Sequence, residues 1–276
     1  MEIFRRILLP ISSEFYSEEV IQRAAEFKRK FGGEVIAVYI VEEKTIRRME
    51  EVSEPFLTEE QRKEMEKNIF EKSKEMAEII FSKAEEYLQD FRREISIGEF
   101  SDVILEKMEK HGASCIMIGF EKDCMLKYRF LERVKIPVWV EIGKGENILG
   151  VCSNLAPNIK VPSFTIKFAE AMEKKPYLLY IIDTSEMVEV DENCVKKPCS
   201  MERLMEKAKE FKEKYEHIAR IEIRKGGIEE EAANFADEIN ADVAIVGREM
   251  KKRGIFSKEF KKEMAEKIKH SLLFLN

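Results

Sequence analysis

The chain has 276 residues, 44% hydrophobic and 37% charged, with 48 Lys and Arg against 54 Asp and Glu for a net charge of -6. That length accommodates two domains of ordinary size, the apolar share excludes a disordered chain, and the acidic balance argues against non-specific nucleic-acid binding. No apolar run reaches membrane-spanning length, and Met1-Glu2-Ile3-Phe4-Arg5-Arg6 lacks a signal-peptide pattern, so a cytoplasmic protein without a membrane partner is expected.

The predicted elements alternate strand and helix from the start. Arg6-Ile7-Leu8-Leu9-Pro10-Ile11 is apolar on both faces, as a parallel strand covered by helices would be. Ser17-Glu18-Glu19 opens a helix with the stripe Val20, Ile21, Ala24, Phe27 and Phe31, and Gly32-Gly33 ends it. Glu34 to Val41 is the second strand. After an irregular stretch containing Pro55, a long helix is predicted from Thr58 to about Phe91. Its residues Met65, Ile69, Met76, Ile80, Ala84, Tyr87 and Phe91 recur at helical spacing, either as a core stripe or as a partner-binding face. Arg93 to Ile97 is the third strand, a helix with Val103, Leu105 and Met108 follows, and the fourth strand ends at Gly119. A short helix leads to the fifth strand, Ile136-Pro137-Val138-Trp139-Val140.

Glycines in Ile142-Gly143-Lys144-Gly145-Glu146 mark a junction, giving domains 1–143 and 144–276. The second half repeats the order. Asn147 to Cys152 is a strand ending at Ser153-Asn154; a helix carries Phe164, Phe168 and Met172; Tyr177 to Asp183 is the second strand. A polar loop with Pro198 leads to a helix from Ser200 to about His217. Ile221 and Ile223 mark the third strand, and a basic helix precedes the last strand, Ser271 to Leu275. The internal repeat is explicit. Gly98-Glu99-Phe100-Ser101-Asp102 runs on to Gly119, Gly226-Gly227-Ile228-Glu229-Glu230 runs on to Gly247, and Gly112-Ala113 matches Asn240-Ala241.

This alternation predicts two tandem doubly wound α/β units, five-stranded and mainly parallel. Ligands of such sheets bind beyond the carboxyl ends of the strands. The candidate positions are Ser12, Ser13, Val41, Gly98 and Gly119 in the first half, and Ser153, Asn154, Asp183, Gly226 and Gly247 in the second. Of five cysteines, Cys115 and Cys152 read as core residues. Cys194 and Cys199 share a loop without further ligands at metal-like spacing, so no metal is expected. Ser12, Ser13 and Ser153 lack a nearby histidine: His111 and His217 fall at helix ends and His270 beside the last strand. The excess of Glu, Lys and Arg fits a thermophile.

Ile7 to Ile11, Ala37 to Glu42, Gly98 to Gly119 and Ile136 to Val140 together resemble a universal stress protein domain, and the second half resembles another copy. The resemblance implies an adenine nucleotide alpha hydrolase-like fold in each half. It also implies association through the last strands, here Val138–Val140 and Leu272–Leu275, as an intramolecular pseudo-dimer. Family members that bind ATP use an Asp after the first strand and a loop opening with Gly-x-x-Gly and closing with Gly-Ser or Gly-Thr. This sequence departs from that pattern. Ser12 and Ser153 replace the Asp, Lys122 and Met250 replace the second glycine, Cys124-Met125 stands where Gly-Ser should, and Gly254 is displaced. A backbone phosphate cradle needs those glycines.

The expectation is a non-enzymatic stress-response or regulatory module with no cofactor, engaging a protein partner or itself. The alternative is an AMP- or ATP-responsive switch in the second half, where Arg248, Lys251 and Lys252 after Gly247 either hold an anion or form a solvated basic loop.

Overall fold

The computed structural model describes residues 1–12, 16–42, 58–119, 131, 133–247 and 260–275. The chain forms two compact units, Met1–Ile136 and Pro137–Asn276.

The first unit begins with a short 3-10 turn and strand β1 (Arg6–Ile11). Helix α1 (Glu18–Phe31) is capped by Ser17, whose hydroxyl accepts from Val20 N, and ends at Gly32 with φ 69°, a left-handed conformation that glycine adopts without Cβ strain. Strand β2 (Glu34–Glu42), helix α2 (Glu59–Glu85), strand β3 (Arg92–Gly98), helix α3 (Phe100–His111) and strand β4 (Cys115–Gly119) follow. The strands run parallel in the order β4-β1-β2-β3. Residues Ile7 to Leu9 and Val35 to Ile40 are buried throughout, as strands covered on both faces must be.

Of the expected stripe, Ile80 and Ala84 are buried in α2, whereas Met76 and, just past the helix, Tyr87 are exposed, and Ala77, Phe81 and Leu88 are buried instead. The Met65 side chain lies outside the described residues. The helix also stops at Glu85, because the chain must turn at Asp90 (φ 53°) to enter β3. The short helix expected before Ile136 falls mostly outside the described residues.

The second unit opens with β5 (Val138–Glu141), the strand assigned from sequence to the first half. It pairs antiparallel with β12 (Ser271–Leu275), Trp139 opposite Leu273. Between them lie β6 (Asn147–Ser153), α4 (Lys160–Met172), β7 (Lys175–Ile182), β8 (Val188–Val190) and β9 (Lys196–Pro198). Then come α5 (Met201–Tyr215), β10 (Arg220–Lys225), α6 (Ile228–Glu238), β11 (Ala241–Gly247) and α7 (Phe260–Lys267). The strand order is β10-β7-β6-β11-β12-β5, parallel except for β5. Strands β8 and β9 form a separate antiparallel hairpin inside what reads from sequence as a polar loop.

The glycine-containing junction 142–146 is pinned. The Ser271 hydroxyl accepts from Ile142 N at 3.1 Å and Gly143 N at 3.3 Å. Asp242 Oδ1 accepts from Gly145 N at 3.0 Å, and Lys174 Nζ donates to Gly145 O at 2.8 Å.

Candidate functional site

In the first unit the strand ends bring Ser12, Val41 and Gly98 to one side of the sheet. Ser12 is fully buried after β1, and its hydroxyl lies 3.5 Å from Glu42 Oε1. Glu42, absent from the sequence-derived site, is 5% exposed and sits in register with Gly98. Gly98 has φ 151°, and a Cβ there would lie 2.9 Å from Val103 Cγ2. Gly119 is held glycine by packing: a Cβ would meet Ser17 Oγ at 2.3 Å and Val20 Cβ at 2.7 Å. Its missing side chain admits helix α1 to the strand end. Ser13 and the loop following Gly119 lie outside the described residues.

The second unit resolves more of the arrangement. Ser153 and Asn154 are fully buried at the end of β6, and Asp183 is 1% exposed just past β7. Asn154 ties three segments together. Its Oδ1 accepts from Asp183 N at 2.7 Å, and its Nδ2 donates to Asp183 O at 3.1 Å and Val188 O at 2.8 Å. Its carbonyl accepts from Val190 N at 2.9 Å. Asn158, in a left-handed conformation with φ 54°, turns back on the same strand end. Its Oδ1 accepts from Ser153 N at 3.0 Å, and its Nδ2 donates to Ser153 O and Ala156 O, each at 2.8 Å. The Ser153 hydroxyl accepts from Leu155 N at 2.9 Å, and Asp183 Oδ1 accepts from Ser185 N at 2.9 Å and from its hydroxyl.

These polar groups lie at the carboxyl ends of β6 and β7, where ligands of such sheets bind. Here they hold the chain itself, and the β8–β9 hairpin stands over the carboxyl end of β6. The structure thus joins Ser153, Asn154 and Asp183, and adds Asn158, Ser185, Val188 and Val190, which sequence reasoning missed. The hairpin had a signal: Val188-Glu189-Val190 alternates, and Asp191-Glu192-Asn193 is turn-forming. Nothing in the spacing marks Asn158.

Gly226, with φ 154°, ends β10, and a Cβ there would lie 2.8 Å from Glu231 Oε1. Gly247, half-exposed at the end of β11, packs on Val161, 3.1 Å from where a Cβ would stand. Arg248, Lys251 and Lys252 lie outside the described residues.

All three histidines fall where a helix gives way to the next strand, at the amino-terminal side of the sheet. His111 contacts Glu94 and His270 contacts Asp237, each within 3.0 Å. Among the described residues no group of three or more His, Cys, Asp or Glu is placed to hold a metal ion. Cys115 and Cys152 are buried, as expected. Burial raises the pKa of Cys199 above the usual thiol range, with Glu189 adding to it.

A cleft of about 490 Å³ lined by Glu85, Leu88, Gln89, Asp90, Phe91 and Arg93 opens at the amino end of β3, away from the strand ends. Its polar groups are engaged locally: Arg93 pairs with Glu85, and Lys28 Nζ donates to Asp90 O at 2.6 Å.

Comparisons with known proteins place this arrangement. Residues 3–138 match the model of the Universal stress protein family. No curated protein sequence matches the chain. Among solved structures, one described as a universal stress protein from Pseudomonas aeruginosa UCBPP-PA14 is similar over 100% of this chain and 95% of its own, with TM-score 0.63 and 13% identity. A universal stress protein from Archaeoglobus fulgidus DSM 4304 is similar over 99% of this chain and 96% of its own, with TM-score 0.60 and 15% identity. At such identity the likeness concerns the fold, and it runs through both halves. Among the described residues no helix is long and apolar enough to cross a membrane. Residues 3–138 belong to the universal stress protein family.

Proposed function

We propose that the chain is a non-enzymatic stress-response or regulatory module that does not bind ATP in the manner of the family's nucleotide-binding members. One observation carries the reading. At the second-half strand ends the Asn154 and Asn158 amides are spent on the chain's own Val188, Asp183, Ser153 and Ala156. A ligand there must replace those bonds before gaining any of its own, and leaving a buried polar group unpaired costs about 1–3 kcal/mol. The absent loop glycines point the same way in both halves.

Calorimetric titration with ATP, with and without Mg²⁺, tests the proposal. Binding no tighter than about 100 μM, roughly -5.5 kcal/mol, is expected. A micromolar dissociation constant overturns it.

The alternative is an AMP- or ATP-responsive switch through Arg248, Lys251 and Lys252. What supports it is the half-exposed end of β11 at Gly247, from which that basic segment departs. Under this reading the same titration gives salt-sensitive binding, lost when all three residues are replaced by alanine. We also propose the intramolecular pseudo-dimer, for which the antiparallel pairing of β5 with β12 is the supporting contact.

A further inference from the structure

Strand β10 ends the strand order of the second unit, and among the described residues it pairs only with β7. The Gly226 amide donates to Ile182 O on β7 at 3.2 Å. The two backbone groups of a strand residue point to one side, and that side alternates along the chain. Arg220, Glu222 and Arg224 therefore turn their backbone groups to β7, and Ile221, Ile223 and Lys225 turn theirs to the open edge. Such an edge accepts another strand, and proteins blunt it with charge. The charges here are of both signs, so an incoming strand meets attraction in one register and repulsion in another.

The side of β10 toward α6 is ionic and unevenly balanced. Three carboxylates surround the Arg224 guanidinium: Glu238 at 2.5 Å, Glu222 at 3.6 Å and Glu231 at 3.7 Å. Arg220 has none among the described residues, and it donates instead to the neutral Tyr177 hydroxyl at 2.8 Å. Gly226 leaves space on this side, and the Glu231 carboxylate takes it, 2.8 Å from where a Cβ would stand. The side toward α5 is apolar. It carries Ile221 and Ile223, both half-buried, and Met205, 50% exposed, with its sulfur 3.7 Å from Lys225 Nζ.

We propose that the β10 edge binds the β10 edge of a second copy of this chain, antiparallel, with Ile223 on the two-fold axis. Ile223 then meets its own counterpart, and both turn their backbone groups outward, as a hydrogen-bonded antiparallel pair requires. Glu222 stands opposite Arg224 of the second copy, and symmetry repeats the contact. Arg220 stands opposite Gly226, where Glu231 of the second copy supplies the carboxylate that Arg220 lacks. On the other side Ile221 stands opposite Lys225, beside Met205 of the second copy. This register pairs five of the six residues of β10, whereas centring on Ile221 or Lys225 pairs three or one. The contact is separate from the β5–β12 pairing and does not depend on whether either strand-end site holds nucleotide.

Sedimentation of the full chain tests the contact. At about 50 μM, well above a micromolar dissociation constant, the unaltered protein should run at twice the chain mass and dissociate on dilution. Glu222→Arg sets two cations across each pair, and Arg224→Glu sets two anions. Each variant alone should be monomeric, with its dissociation constant raised at least about tenfold by like charges in contact. Mixed in equal amounts, the two variants regain opposite charges across both pairs and should sediment as a dimer. Ile223→Pro removes the outward amide at the axis, leaves the bonds to β7, and should also give a monomer. An unaltered chain that stays monomeric at about 50 μM would overturn the proposal. Single variants that dimerise as the unaltered chain does would place the interface elsewhere and overturn it too. A mixture that stays monomeric, with both variants keeping the far-ultraviolet circular dichroism of the unaltered chain, would overturn the register. Should Arg224→Glu fail to fold, Ile223→Pro decides, and a dimer in that variant rejects the edge.

Discussion

Thr165 lies fully buried on α4 against Gly150, where a Cβ would come within 2.4 Å of the Thr165 hydroxyl. That hydroxyl has no hydrogen-bond partner among the described residues. Thr165→Val removes the desolvated oxygen and keeps the branched shape, so it should stabilise the protein by about 1 kcal/mol. The expected reading is a higher urea midpoint with an unchanged slope; a lower midpoint would show that the hydroxyl is satisfied after all. Glu94 on β3 carries the opposite balance. Burial pushes its carboxyl up, but Lys107 at 3.1 Å, Lys110 at 3.2 Å and His111 at 3.0 Å outweigh that and hold it down to about 2. A depressed carboxyl stabilises the fold above its unfolded pKa and loses that contribution as pH falls through the folded value. About 2–3 kcal/mol should therefore disappear between roughly pH 4.5 and pH 2, and Glu94→Gln should flatten that part of the stability profile. An identical profile in the variant would remove Glu94 from the acid response.

At the scale of elements, what a strand or helix buries is what the sequence announces. Strand β1 is legible at both ends because six apolar or flanking residues are bounded by Arg6 and Ser12, and α1 because Ser17 and Gly32 cap it. Helix α2 is legible in its start, where the Thr58 hydroxyl accepts from Gln61 N, but not in its stripe. Apolar residues occur on more than one face there, and Met76 and Ile79 stay exposed while Ala77 and Phe81 are buried, a choice that periodicity does not make. The candidate site was legible in position and not in state. Strand ends follow from alternation, whereas the hairpin that covers them depends on Asn154 meeting residues more than thirty positions away. The junction 142–146 is a further case: its glycines mark a break between two strands, and what holds it is Asp242, far away in sequence. Asp242 is fully buried, with Lys174 Nζ 2.7 Å from its Oδ2. Lys174→Met leaves that carboxylate without its cation and should cost about 3 kcal/mol, read as a lower unfolding midpoint. A loss below about 0.5 kcal/mol would mean that the Gly145 amide and its neighbours suffice for Asp242.

At the scale of the whole molecule, the repeat explains why each half ends in a short apolar strand, and the second unit shows what becomes of them. Strands β5 and β12 satisfy one another, Leu272 opposite Val140 and Phe274 opposite Val138. Left alone, each would present an apolar edge open to association with another chain. Trp139, fully buried at this pairing, donates from Nε1 to Glu141 Oε2 of its own strand at 2.6 Å and meets Phe168 of α4 edge-on at 6.0 Å between ring centroids. Trp139 is the one tryptophan of the chain, so its fluorescence reports this pairing directly. Val138 is 2% exposed and Leu273 fully buried; Leu273 stands opposite Trp139 and Val138 opposite Phe274, so a lysine at each buries one charge on each face of the sheet. The double variant Val138→Lys with Leu273→Lys should shift Trp139 emission to longer wavelength. It should also make the protein associate in a concentration-dependent way, as freed edges pair with other copies. Emission and sedimentation matching those of the unaltered chain would show that β5 and β12 do not depend on each other, and would remove the contact on which the pseudo-dimer proposal stands.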